Sequence, residues 1–184
     1  MDIHQVIRER RSVMPAQYNS TPIGEFQLQQ ILEAANWAPT HKRTEPWRFK
    51  VMQGDALAKL GLFLAERFKE TATTFSEFKY RQMQENPTKA GAIIAICMQR
   101  DPKESLPEWE EVAAVSMAVQ NMWLTATALG VGAYWSSPPL IKFMDGFFDM
   151  EEGESCLGFF YMGHYDNPSP ERIPGPLENK VQWL

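Results

Sequence analysis

Hydrophobic spacing divides this chain into alternating helical and extended segments. Ile3, Val6 and Ile7 share one face of a short helix over residues 3–10, and Pro15 closes off the segment that follows. Thr21 and Pro22 fit the N-cap and first turn of a second helix. Within it Leu28, Ile31, Leu32 and Ala35 recur at i, i+3, i+4 and i+7, and Pro39 disfavours helical geometry at Ala38 and so ends it. Trp47, Phe49 and Val51 alternate with Arg48, Lys50 and Met52, which predicts a half-buried strand. Residues 54–86 predict two helices: the first has an apolar face of Leu57, Leu60, Phe63 and Leu64, and the second is more polar and a candidate lid. Gly91 to Gln99 predicts a fully buried strand.

The second half turns on an unusual helix. Asp101 to Glu111 is an acidic loop leading into it, with carboxylates suited to a positive helix N-terminus. The helix over residues 109–129 is apolar on both sides: Val112, Val115, Val119, Met122 and Ala126 on one, Ala113, Ala114, Met117, Ala118, Leu124 and Ala128 on the other. A chain of 184 residues has little interior in which to cover both, so packing against a second copy is expected. Gly130-Val131-Gly132 turns into a short strand over 133–135, Pro138 opens a helix to about residue 149, and Cys156 to Met162 predicts a further strand. The tail, 164–184, carries Pro168, Pro170, Pro174 and Pro176 and ends in Val181-Gln182-Trp183-Leu184. It predicts an extended arm whose apolar tip docks on a partner subunit. No repeat or second domain is visible, so residues 1–184 are expected to form one domain.

Composition narrows the functional classes. Hydrophobic residues make up 44% of the chain, which excludes wholesale disorder. A net charge of −5 disfavours general binding to nucleic acid or an anionic membrane, while leaving room for a local basic pocket. Val112 to Ile141 holds no charged residue, but Gln120 and Asn121 interrupt it and Gly130, Gly132, Pro138 and Pro139 break its second half. A helix and strand buried in protein is therefore expected rather than a membrane span. Cys97 and Cys156 form no Cys-x-x-Cys motif, and Cys97, in an apolar run, fits a buried, inert thiol. The first residues show no basic segment before an apolar core, and a reducing cytoplasmic compartment is expected.

Three segments carry candidate chemistry. Arg10-Arg11-Ser12 offers two guanidinium forks and a hydroxyl, which suit a compact anion or simply solvated surface. Thr40-His41-Lys42-Arg43 is a cationic loop in which His41 could act as a general acid, donate a hydrogen bond to a ligand, or stand exposed. Gly130 to Ser137 combines glycines that admit a flat ligand with aromatics and hydroxyls, or forms a packed core turn. His4, His41 and His164 are scattered, so no metal site is expected. Neither a Gly-x-Ser-x-Gly elbow nor a phosphate-binding Gly-x-x-x-x-Gly-Lys-[Ser/Thr] loop occurs. An enzyme built on this chain therefore relies on a cofactor for its chemistry, with no catalytic side chain expected.

Taken in order, Arg10-Arg11-Ser12, Ile31 to Pro39, Pro46-Trp47-Arg48-Phe49, Ala128 to Trp135, Gly158 to Gly163 and the Pro-rich tail resemble the FMN-dependent nitroreductase family. The short length and the Pro39-Thr40-His41-Lys42 loop are most similar to its small bacterial YdjA-like members. The resemblance implies an α+β fold with a central, mainly antiparallel sheet flanked by helices. It also implies a homodimer with exchanged C-terminal arms, FMN at the subunit interface, and NAD(P)H as co-substrate. It places Arg10, Arg11 and Ser12 at the FMN phosphate and ribityl chain, and Trp37 and His41 against the FMN held mainly by the other subunit. Tyr134, Trp135 and Ser136 line the site beside the ring or phosphate. Three positions depart from the family pattern: Glu45 for Gln, Met14 for Lys, and Ser136 for the subgroup's Arg. Arg172, in a tail similar to one that brings a cation to the phosphate elsewhere in the family, is expected to replace that last contact. The implied activity is transfer of electrons from NAD(P)H to nitroaromatic, quinone or related acceptors in a ping-pong cycle. Flavin storage or sensing, dehalogenation and flavin cleavage are the alternatives.

Overall fold

A computed structural model describes residues 2–167 and 170–184. Pro168, one of the four tail prolines, lies outside the described residues. Among the described residues five α-helices, α1 (Ile3–Glu9), α2 (Glu25–Asn36), α3 (Asp55–Thr71), α4 (Glu77–Glu85) and α5 (Glu108–Ala128), surround four strands, β1 (Trp47–Met52), β2 (Ala92–Gln99), β3 (Gly132–Ser136) and β4 (Glu154–Gly163). The strands form one antiparallel sheet in the order β1-β2-β4-β3. The fold is α+β, as the family resemblance implied.

The sheet is covered on both faces, which is why β2 is apolar at every position from Ala92 to Met98. Ile94, Ile96 and Met98, with Phe160 of β4, face a layer made by α2 and α5 that includes Ile31 and Val119. Ile93, Ala95 and Cys97, with Phe159 of β4, face α3 and the 3₁₀ run Pro139–Gly146, a layer that includes Leu60, Leu64 and Met144. At Gly61 the α4 backbone approaches α3 so closely that a Cβ would collide with the Gln84 carbonyl.

Several local expectations are corrected. The second helix starts at Glu25 rather than at Thr21, with Gly24 at its N-cap and the Gln27 side chain accepting the Gly24 N–H at 3.1 Å. Ile23, 3% exposed, anchors the extended approach, so the chain enters the helix later than Thr21-Pro22 suggests. In β1 the alternation breaks: Val51 is exposed and Met52 buried, because Met52 packs under α3. The expected helix after Pro138 is a 3₁₀ run that ends at Gly146. Glu111 does not merely complement a helix dipole. It is 1% exposed, pairs with Arg100 and accepts the Asp101 N–H at 2.9 Å, locking the loop that opens α5. No helix is long and apolar enough to cross a membrane, and no cluster of metal-ligating side chains occurs, among the described residues.

α5 packs on α2 through Ala114, Val115, Ala118 and Met122, and Asn121 donates to the Ala34 carbonyl at 3.1 Å. Its other side leaves Trp109 and Met117 exposed. Residues 170–184 run exposed along the surface, with Leu177, Trp183 and Leu184 uncovered. Both features leave apolar surface that a single chain does not bury.

Candidate functional site

The N-terminal cation cluster is built by a helix that stops and a strand edge that continues it. Asp2 caps α1, accepting the His4 N–H at 2.7 Å, and Arg10 leaves helical geometry with ψ 125. The chain then runs beside β3, with Ser12 bridged to Ala133 in parallel and the Val13 N–H donating to the Ala133 carbonyl at 2.9 Å. Trp123 of α5 fixes this segment from below. Its Nε1–H donates to the Arg11 carbonyl at 3.1 Å, and its ring lies 4.6 Å from the Arg10 guanidinium carbon. Trp123 is in turn held edge-on by Phe160, 5.6 Å away.

The tail joins this cluster. Arg11 Nε donates to the Pro170 carbonyl at 3.0 Å, and Arg172 comes near enough to act on Arg10. Burial, then the charges of Arg172 and Arg11, push the Arg10 pKa below its ordinary value. None of the three guanidinium groups forms an ion pair with a carboxylate among the described residues. Three neighbouring arginines without a counter-charge have the chemistry to offset a multiply charged anion.

At the other end of β3 lies a cavity of about 710 Å³. Ser136, Pro138, Pro139 and Tyr161 line one side, and Lys79 and Gln82 of α4 line the other. Ser136 lies three residues beyond Ala133, about 10 Å along the strand. Gly158 keeps this end open to the chain: its φ of 147 and the close Trp135 indole and Ser136 carbonyl leave no room for a Cβ. Burial, and then the neighbouring Tyr134, raise the Tyr161 pKa, so its phenol keeps its proton.

The other expected site residues divide. Tyr134 sits on the cavity face of the sheet, 6.1 Å from Tyr161 between ring centres. Trp135 turns to the opposite face, among the α2/α5 side chains, and donates to the Leu157 carbonyl at 3.3 Å. Trp37 closes α2 and is 79% exposed. His41 stands on a tight turn in which Lys42 and Arg43 adopt positive φ, with Glu45 also positive just beyond it. Glu110 of α5 lies 2.6 Å from His41 Nδ1. No motif in the sequence placed a carboxylate beside His41. An ionised Glu110 only accepts, so His41 donates to it from Nδ1.

His41 and Arg10 do not meet within one chain. Their α5 neighbours, Glu110 and Trp123, lie thirteen residues apart, about 20 Å along the helix. An apolar groove of about 520 Å³ beside His41 is lined by Pro39, Trp109, Ala113 and Met117. Sequence reasoning missed Trp123, Lys79 and Gln82. The signal for Lys79 and Gln82 was their place in the polar helix expected to act as a lid.

Residues 7–164 match the family model described as "Nitroreductase family", and the chain belongs to that family. A protein of Escherichia coli (strain K12) named "Putative NAD(P)H nitroreductase YdjA" is 29% identical over 165 residues, 89% of this chain and 88% of that protein. The solved nitroreductase-like family protein from Bacillus cereus is 26% identical, with a TM-score of 0.82 over 100% of this chain and 96% of that one. A nitroreductase with bound FMN from Bacteroides fragilis NCTC 9343 shares the fold, with a TM-score of 0.77, 19% identity and coverage of 100% and 99%.

Proposed function

We propose that this chain is an FMN-dependent oxidoreductase that draws electrons from NAD(P)H and passes them to nitroaromatic, quinone or related acceptors. The observation that carries the reading is a group of three arginines without a carboxylate partner among the described residues, beside a roomy cavity about 10 Å further along β3. A molecule with a phosphate dianion at one end and a flat ring at the other fits that spacing, and FMN is such a molecule.

Arg10, Arg11 and Arg172 offset the phosphate charge, and Ser12 adds a hydroxyl donor beside them. Ser136, Pro138 and Pro139 border the ring space, with Tyr134 on the same face of the sheet, and Lys79 supplies a cation and Gln82 an amide. Lys79 provides from α4 positive charge that Met14 and Ser136 do not. Held there, FMN would supply the redox chemistry that links NAD(P)H oxidation to reduction of the acceptor. The protein orients the ring, places donors where negative charge grows on reduction, and leaves one face open.

The site is completed by a second copy of the chain. With α5 packed antiparallel on its mate, the His41 end of one helix lies near the Arg10 end of the other, and the 20 Å gap within one chain closes. Trp37 and His41 of the second copy then cover the FMN held by the first, and the arm wraps the partner. Steady-state turnover tests the function. NAD(P)H oxidation should require both FMN-loaded protein and an acceptor such as a nitroaromatic, with parallel double-reciprocal lines. A protein that holds FMN tightly yet gives no acceptor-dependent NAD(P)H oxidation would instead be a flavin store.

A further inference from the structure

The two cysteines, far apart in sequence, face each other across the centre of the sheet. Cys97 of β2 is the register partner of Cys156 of β4, at the step where a bulge interrupts the ladder between Ile96 and Cys97. Both are free and buried, and both point to the α3 side of the sheet. Residues directly opposed on antiparallel strands have Cα atoms about 4.5–5.5 Å apart, inside the range of about 4.4–6.8 Å that a disulfide spans.

A charged pair lies over these thiols. Lys50 reaches from β1 to β4, and its Nζ lies 2.8 Å from Glu154 Oε1, with the Glu154 side chain only 2% exposed. Both charged groups act on Cys97 and on Cys156. The Cys156 thiol donates to the Gly158 carbonyl, 3.6 Å from Sγ to oxygen. The Cys97 thiol beside it holds the Cys156 pKa below its ordinary value, while Cys156 and burial push that of Cys97 up. Cys156 is also the more accessible of the two, at 8% against 0% exposure.

We propose that Cys97 and Cys156 form a reversible, redox-active dithiol that is oxidised by hydroperoxides to a cross-strand disulfide. The Cys156 thiolate attacks a peroxide oxygen, the S–O bond forms as the O–O bond breaks, and the departing hydroxide takes a proton to become water. The Cys97 thiol then attacks the sulfenic sulfur, giving up its proton as the S–S bond forms and the S–O bond breaks, and a second water leaves. The two sulfurs together lose two electrons, and hydrogen peroxide is reduced to two waters. A thiol reductant reverses the change by exchange.

The test uses the full-length protein, treated with hydrogen peroxide in its native state, quenched in acid, unfolded and alkylated with N-ethylmaleimide. Intact mass should show two labels before oxidation and none after it, with a loss of about 2 Da in the unlabelled chain, and dithiothreitol should restore both labels. In Cys97→Ser the reaction should stop at a Cys156 sulfenic acid that dimedone traps. Lys50→Met should slow the wild-type conversion at least about threefold. Two labels persisting after peroxide, oxygen added to either sulfur without loss of the pair, or disulfides between chains would each overturn the proposal. The labelling of the unmutated protein decides the question even where a variant fails to fold.

Discussion

Replacing Arg172 with alanine separates its role at a phosphate from any role in holding the arm. In the free protein Arg172 presses on Arg10, which already lies partly buried against Trp123 and beside Arg11. Across partly solvated surface that repulsion is worth at most about 1 kcal/mol, so removing Arg172 should leave the cofactor-free protein as stable as before or slightly more so. With FMN bound the sign reverses. A hydrogen bond to a charged group contributes about 1.5–3 kcal/mol, so Arg172→Ala should weaken FMN binding roughly ten- to a hundredfold. Riboflavin has the same ring without the phosphate, and its affinity should barely change. Arg172→Lys, which keeps the charge and loses the fork, should fall between. Flavin fluorescence titration with both ligands and thermal unfolding of the cofactor-free proteins give the numbers. Equal losses for FMN and riboflavin, or no loss for either, would refute the phosphate role, and a lowered melting temperature without cofactor would recast Arg172 as a structural tie.

His41→Ala should loosen FMN and leave turnover of the fully loaded protein within about tenfold, about 1.4 kcal/mol. A fall of about 10²–10⁴ with FMN still bound would make the His41–Glu110 pair a proton donor to the reaction. Deleting residues 164–184 should convert a species of about twice 21.1 kDa in sedimentation into single chains and shed FMN with it. A truncated protein that stays paired and yellow would place the contact between copies wholly on α5. Phe160→Ala removes a fully buried ring that supports Trp123, and should cost about 3–5 kcal/mol by denaturant unfolding. It should also weaken FMN binding through the loosened Arg10 platform, whereas an unchanged affinity would uncouple Trp123 from the site.

Periodic elements were legible in the sequence because their periodicity comes from burial. The i, i+3, i+4 spacing of α2 and the unbroken apolar run of β2 match faces that the sheet covers. The two-sided α5 was equally visible, and its exposed Trp109 and Met117 mark the side a single chain leaves open. What stayed hidden depends on contacts between distant segments. Glu111 looked like an ordinary first-turn carboxylate until Arg100 closed on it, and Met52 looked solvent-facing until α3 packed beneath β1. The site shows the same division. Arg10-Arg11-Ser12 stood out by residue type, while Trp123, Lys79 and Glu110 acquire meaning only when α5 and α4 bring them to β3 and to His41. The Cys97–Cys156 pair depends on strand register, which no local pattern encodes.

The most direct test of the central claim is to follow the two halves of the cycle separately in the absence of oxygen. FMN-loaded protein is mixed with NADH or NADPH, and the visible flavin absorbance is followed; a nitroaromatic is then added after the nicotinamide is consumed. The account predicts that the absorbance bleaches in the first step and returns in the second, with no third component present. Protein that binds FMN stoichiometrically but keeps its absorbance with both NADH and NADPH would contradict it.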